Sequence, residues 1–247
     1  MAMRRFSYNN VLHEGDKIFL SLEESRHISK VLRLKIGEMI ELFDYSGTIY
    51  SASIVDISQR VAVEIVSERT LSIEGSGKII VCQSIIKNKK MELLLQKCTE
   101  LGVSELFPFV SSRCQGNVVQ QYSGKGERWR KIIEESCKQC LRPLPMLLRD
   151  IHTFTETLQY YKEDEKTIKL LLWEKEKGKN LTFYRDQLPG DKRVLLLFGP
   201  EGGFTEEEIF SARECGWQTV GLGDNILRAE TAVIAAVSIV QHLLGNM

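Results

Sequence analysis

Two glycine-bearing turns near the carboxyl end hold the residues best placed to do chemistry, and each follows a short apolar run. The first reads Leu195-Leu196-Leu197-Phe198-Gly199-Pro200-Glu201-Gly202-Gly203-Phe204-Thr205, followed by Glu206-Glu207-Glu208. Thr205 with Glu208 three positions on forms a capping-box signature, which predicts a loop that ends rigidly at a helix start. Glycines at 199, 202 and 203 let backbone come close to a ligand. The loop lacks the Gly-Lys-Ser/Thr ending of a phosphate loop and the G-x-G-x-x-G spacing of dinucleotide folds. Three acids in the first helical turn also repel phosphate. A ligand read by backbone amides and carbonyls, such as an adenine or a neutral ribose, suits this loop; a tight strand-to-helix turn without a ligand remains the other reading.

The second turn runs Val220-Gly221-Leu222-Gly223-Asp224-Asn225-Ile226-Leu227-Arg228-Ala229-Glu230-Thr231-Ala232 into an apolar helix that reaches Leu244. Arg228 and Glu230 fall at the entrance of a helix expected to be buried, where charges need partners. Either they serve a site, or they pair with each other and tether the loop.

The elements that carry these turns follow from periodicity. From Ile79 onward strands alternate with helices: strands at Ile79–Ile86, Glu105–Val110, Met146–Asp150, Thr167–Glu174, Arg193–Phe198 and Gln218–Leu222, and helices at Asn88–Leu101, Lys125–Leu141, Thr153–Tyr161, Leu181–Leu188, Glu206–Cys215 and Ala229–Leu244. That alternation predicts an α/β fold with a mainly parallel sheet, whose ligands belong at the carboxyl ends of strands. In the helix from Asn88, Met91, Leu94, Leu95, Cys98 and Leu101 share one face and are expected in the core. Before Gly75 the character differs: short β runs at Lys17–Leu20, Glu38–Phe43, Thr48–Ile57 and Arg60–Ser67, with one helix from a Ser21/Glu24 capping box through Leu34. This predicts a small β-barrel-like unit over residues 1–72, and the polar stretch around Gly75 and Gly77 marks the start of the second domain, 73–247.

With these motifs in order, the chain resembles the 16S ribosomal RNA uridine-N3 methyltransferase family of the SPOUT class. The likeness rests on Gly199-Pro200-Glu201-Gly202-Gly203-Phe204 and Leu222-Gly223-x-x-Ile226-Leu227-Arg228-x-Glu230-Thr231-Ala232, and it extends to Arg4-Arg5-Phe6, His27-Ile28-x-x-Val31-Leu32-Arg33, Lys87-x-x-Lys90-x-Glu92, Gln96 to Gly102, Arg128-Trp129-x-x-Ile132 and Gln139-x-x-Arg142. It departs at Cys137 and at Cys140-Leu141, where small residues and a glycine are expected. The resemblance implies a PUA-like RNA-binding domain before a methyltransferase domain with a C-terminal trefoil knot, a homodimer, and S-adenosyl-L-methionine as cofactor. It implies a cofactor cradle of Leu172, Trp173, Glu174, Leu197, Phe198, Gly199, Pro200, Glu201, Gly202, Gly203, Leu222, Gly223, Ile226, Leu227, Arg228, Thr231 and Ala232.

For the chemistry implied, uridine N3 must lose its imide proton and align behind the methyl carbon. Arg228 is the candidate to stabilise charge on the uridine oxygens, and Glu230 the candidate base, or alternatively only an orienting partner of Arg228. Arg33, Lys87, Lys90, Arg113, Arg128 and Arg142 are expected along the phosphate backbone of the small-subunit RNA. Trp129 shares helical spacing with Ile132 and Ile133 and is expected to pack in the core, and His27 to hold a hydrogen-bonded structural place. Two rivals stay open: transfer to a ribose 2′-hydroxyl, and a ribosome-associated RNA-binding protein without catalysis.

Charge agrees with an RNA partner only in its distribution. The formal net charge is zero, yet residues 76–150 carry +6 between flanks of −2 and −4. That surplus is either a polyanion surface or a set of solvated helix faces. Six cysteines without an export signal predict reduced thiols; Cys137-x-x-Cys140 lacks a second pair or a nearby histidine, so no metal is expected. No apolar run is long enough to span a membrane, and a cytoplasmic protein is expected.

Overall fold

In the computed structural model the described residues are 4–8, 10–44, 46–70, 78–114, 122, 124–160, 166–188 and 192–247; the expected junction at 72/73 lies outside them. The chain divides into two compact units, Met1–Ile73 with Cys137–Pro145, and Glu74–Ser136 with Met146–Met247.

In the first unit the strands are β1 (Arg5–Ser7), β2 (Lys17–Phe19), β3 (Met39–Phe43), β4 (Thr48–Asp56) and β5 (Ala62–Thr70), ordered β1-β3-β4-β5-β2. Only β1 on β3 is parallel. Alternation in β4 turns Tyr50, Ala52 and Ile54 inward, where they meet Phe6, Leu20, Ile28, Leu42 and Val63 in one apolar core. The strand β1 was not expected: three residues are too few for a pattern. The expected helix through Leu34 is cut short. After α1 (Leu22–Arg26) the chain widens into a π-helical turn, His27–Leu32, and ends on Arg33 in the left-handed region at φ 53°. Ser29 donates its hydroxyl to Ser25 O at 2.7 Å, an alternative to the regular ladder. The capping box there is half made: Ser21 Oγ accepts from Glu24 N, but the Glu24 carboxylate accepts from Ser7 and Lys138.

The second unit is built on β6 (Lys78–Ser84), α2 (Asn88–Glu100), β7 (Glu105–Val110), α3 (Gly126–Cys140), β8 (Leu147–Leu148), β9 (His152–Thr153), α4 (Phe154–Gln159), β10 (Thr167–Leu172), β11 (Arg193–Phe198), α5 (Glu206–Glu214), β12 (Gln218–Val220) and α6 (Ala229–Leu243). All strand pairs are parallel, in the order β12-β10-β11-β6-β7-β8, with β9 also on β7. Unbroken apolar runs such as Val194–Phe198 are what a strand covered on both faces requires. Residues 181–187 form a 3-10 helix, and the strand expected over Met146–Asp150 shrinks to two residues. Met91, Leu94, Leu95 and Cys98 are buried as the periodicity requires, whereas Leu101 is half-buried, at the cap of α2. There Leu101 O accepts from Gln241 Nε2 of α6 at 2.5 Å.

The end of α3 belongs to the first unit, which a contiguous division does not foresee. Lys138 pairs with Glu24 at 3.0 Å, and Arg5 donates to Leu141 O. Leu141 sits at φ 61°, a conformation that costs an L-residue about 1–2 kcal/mol and a glycine nothing, and the resemblance leads one to expect glycine there. With the Leu141 side chain 37% exposed, Leu141→Gly should raise stability by up to about 1 kcal/mol, read as a higher urea midpoint; a lower midpoint would show that its packing outweighs its backbone strain.

Candidate functional site

A cavity of about 470 Å³ opens at the carboxyl ends of β10, β11 and β12, where the chain steps from β11 back across β10 to β12. Ligands in open parallel sheets bind at such reversals. Leu172, Trp173 and Glu174 after β10, the segment 198–204 after β11, and the segment from Leu222 into α6 form its walls.

The first glycine turn is as rigid as its capping box promised. Thr205 Oγ1 accepts from Glu208 N, the Glu208 carboxylate accepts from Thr205 N, and its second oxygen takes Ser112 N at 2.8 Å. Gln83, fully buried at the end of β6, donates from Nε2 to Gly199 O at 3.1 Å. Arg113 donates from Nη1 to Gly202 O and Phe204 O at 3.0 and 3.2 Å. Side chains have no room here: a Cβ on Gly202 would stand 3.2 Å from that of Arg113, and Gly203, at φ +68°, would bring one within 3.1 Å of Glu174 Oε1. At Gly199, Gly202 and Gly203 the wall is therefore backbone.

The second turn is braced from outside. Gly221 N donates to Lys179 O at 2.8 Å, and Trp173 N to Val220 O at 2.9 Å. Glu176 accepts from Thr219 Oγ1 at 2.7 Å and from Gly178 N at 2.8 Å. These bonds, the Thr219 hydroxyl first, hold the Glu176 carboxyl below the ordinary carboxylate range, although burial opposes them. A lowered folded-state value favours the charged form, so the contribution is complete above the unfolded value of about 4.3 and fades as pH falls through the lowered one. The midpoint of thermal unfolding should therefore drop more steeply with acid below about pH 4 in the wild type than in Glu176→Gln. Parallel acid profiles would remove Glu176 as the brace.

Of the expected cradle, Leu172, Trp173, Glu174, Phe198, Gly199, Pro200, Glu201, Gly202, Gly203, Leu222, Gly223, Ile226, Leu227, Arg228 and Ala232 line the cavity. Leu197 and Thr231 do not: Leu197, within β11, is wholly buried in the core, and Thr231 is exposed one step round the helix. Phe204, Asn225 and Ala229 line it as well, all within the two turns already singled out, and so does Lys90 from α2.

The two charges at the entrance of α6 separate. Arg228 is exposed at the N-cap, on the cavity wall; Glu230 is buried. The expectation of two buried charges holds for Glu230 alone, because the helix begins at Ala229 and leaves Arg228 outside. Glu230 pairs with Lys90 Nζ at 3.5 Å, and the same Nζ lies 3.5 Å from Glu201 Oε1.

Arg33 and Lys87 are exposed, Arg142 is half-buried, and Arg128 forms a two-point pair with Glu92 at 2.7 and 2.9 Å, which lowers the Glu92 carboxyl. Trp129 is buried against Tyr122 with ring centres 5.4 Å apart, and exposed His27 meets Phe6 edge-on. None of the six cysteines is in a disulfide, and among the described residues no group of His, Cys, Asp and Glu could hold a metal. None of their helices is long and apolar enough to cross a membrane.

Residues 74–241 match the RNA methyltransferase domain family, and residues 20–66 the RNA methyltransferase PUA domain. Ribosomal RNA small subunit methyltransferase E of Rickettsia conorii is 30% identical, over 100% of this chain and 98% of that one. The enzyme of the same name from Buchnera aphidicola of Schizaphis graminum is 31% identical, over 93% and 92%. Among solved structures, ribosomal RNA small subunit methyltransferase E of Neisseria gonorrhoeae bound to S-adenosyl methionine superposes with a TM-score of 0.82 at 32% identity, covering 98% of both chains. A Legionella pneumophila protein solved with the bound cofactor SAM gives 0.83 at 32%, again over 98% of both. Likeness of this extent, through both domains and past the glycine turns, makes the chain a member of the ribosomal RNA small subunit methyltransferase E family.

Proposed function

We propose that this methyltransferase carries the methyl group of S-adenosylmethionine to N3 of a uridine in 16S ribosomal RNA, working in the cytoplasm as a homodimer. The observation that carries the reading is the cavity at the ends of β10, β11 and β12, walled by the two glycine turns. Its carbonyls and amides suit a nucleoside, and its acids, Glu174 and Glu201, suit a sulfonium cation better than a phosphate. When bound, the cofactor supplies an electrophilic methyl carbon.

The protein's own residues do the rest. The 198–204 and 222–227 segments hold the nucleoside from two sides, and Trp173 and Glu174 close the third. Arg228, exposed on the wall, offers its guanidinium to the uridine oxygens as negative charge develops there. Arg33, Lys87, Arg128 and Arg142 fix the RNA backbone. Residues 1–72, which share their compact unit with Cys137–Pro145, serve as a PUA-like barrel for RNA, and the remainder of residues 73–247 forms a SPOUT domain with a trefoil knot. The backbone squeeze of Gly221 against the 173–180 loop supports that threading.

Purified protein with radiolabelled S-adenosylmethionine, offered 30S subunits and naked 16S RNA in parallel, tests the proposal. Label should enter RNA and appear as a base-methylated uridine after digestion to nucleosides. Methyl on the ribose would replace N3 by the 2′-hydroxyl, and calorimetry without saturable heat from the cofactor would leave a binding protein.

A further inference from the structure

Methyl transfer to N3 leaves the imide proton without a destination. Glu230, the acid named by the sequence, is buried and does not line the cavity. Its Oε2 has no hydrogen-bond partner, an expensive state for a carboxylate oxygen. The group on the wall is Lys90. Its ammonium stands 3.5 Å from Glu230 Oε2 and 3.5 Å from Glu201 Oε1, too long for good hydrogen bonds, and its side chain is 30% exposed. Two carboxylates share one ammonium, so the trio carries one unit of negative charge in a partly desolvated place. Such a cluster can take up one proton and become neutral.

We infer that Lys90, Glu201 and Glu230 form the proton acceptor of the methyl transfer, with Lys90 as the catalytic residue that meets the uridine and Glu230 as the proton sink behind it. Lys90 passes one of its protons to Glu230 Oε2, the atom whose hydrogen-bonding capacity is unmet. The free amine then takes the N3 proton, so Lys90 ends as it began and Glu230 ends neutral. The N3–H bond breaks, its electron pair forms the new bond to the methyl carbon, and the methyl–sulfur bond gives its pair to sulfur. Water later collects the proton from Glu230. Glu201 keeps Lys90 aimed, and because it belongs to the glycine turn, it ties the acceptor to the wall that holds the cofactor. Contacts of this kind are often long before substrate arrives and shorten in the reacting complex. Lysine fits the task as a compact donor that can give up its proton; arginine cannot.

This inference rests on N3 being the acceptor atom, so the first measurement is a nucleoside digest of wild-type product; methyl on ribose would overturn both. With methyl on N3, Lys90→Arg and Glu230→Gln are compared on ordinary RNA and on RNA carrying 5-fluorouridine, whose imide proton is more acidic. Both variants should lose about 10²–10⁴-fold in kcat on ordinary RNA, the range of one acid–base group, and should recover in large part on fluorinated RNA. Calorimetry should show cofactor affinity within roughly threefold of wild type for both. A structural role would not respond to the acidity of the substrate. Wild-type kcat in Lys90→Arg, or a loss in either variant that fluorination leaves in place, overturns the acceptor assignment while the function stands.

Discussion

Arg228→Ala should lose about 10²–10³-fold in the rate of methyl transfer, roughly 3–4 kcal/mol of transition-state stabilisation, while the protein stays folded. The reason lies in the separation of the two charges at the entrance of α6. Arg228 stands at the cap, exposed, with backbone angles of −63° and 151° and no capping bond from its side chain. Removing it strands no buried partner, because Glu230 is paired with Lys90 instead. A tethering pair of Arg228 with Glu230 would predict the opposite, a loss of stability that accompanies the loss of rate. Single-turnover rates, urea midpoints and cofactor calorimetry together separate the cases. A near-normal rate in Arg228→Ala would remove the guanidinium from the reaction.

That separation also marks where sequence reading stops. Local chemistry was legible. Val194–Phe198 declares a strand buried on both faces, Thr205 with Glu208 declares a helix start, and the spacing of Met91, Leu94, Leu95 and Cys98 declares one face of α2. Most of the cavity wall falls inside the two turns for the same reason: glycines that follow buried strands have few other uses. Leu197 and Thr231 enter the expected cradle through the family resemblance, and alternation in a strand or one step round a helix is enough to turn them from the cavity. Lys90 is legible in the sequence as a cation for the RNA backbone, alongside Lys87, and nothing local marks it for the cavity wall. Its place on the wall depends on β11 lying beside β6, which sets α2 next to the turn carrying Glu201 and the helix carrying Glu230. Strand order is a tertiary fact, as is the left-handed Leu141. Glycine was expected there, yet only the backbone angle shows why.

Gly221→Ala should cost about 3 kcal/mol and abolish cofactor binding, and Gly221→Val should cost more. Gly221 does not need glycine for its backbone angle; it needs it for space. A Cβ there would lie inside the van der Waals contact distance of Glu176 O, a backbone atom that cannot swing aside. Nor can the loop around it give way cheaply. Glu176 is held through its own side chain to Thr219 and Gly178, Gly221 N is bonded to Lys179 O, and Asn180 bridges to Gly221 in parallel. Relief of the clash therefore moves the whole 173–180 segment, and with it Trp173 and Glu174 of the cavity wall. Glu174 in turn lies against Gly203, so the displacement reaches the first glycine turn as well. Gly223→Ala provides the contrast: that position, at φ +102°, faces open space, so the cost is backbone strain of about 1–2 kcal/mol without a displaced wall. Urea midpoints and calorimetry with S-adenosylmethionine on both variants decide the matter. If Gly221→Ala keeps its midpoint and its cofactor affinity, the two strands of chain at Glu176 and Gly221 are not locked together, and the threading proposed for this end of the molecule loses its support.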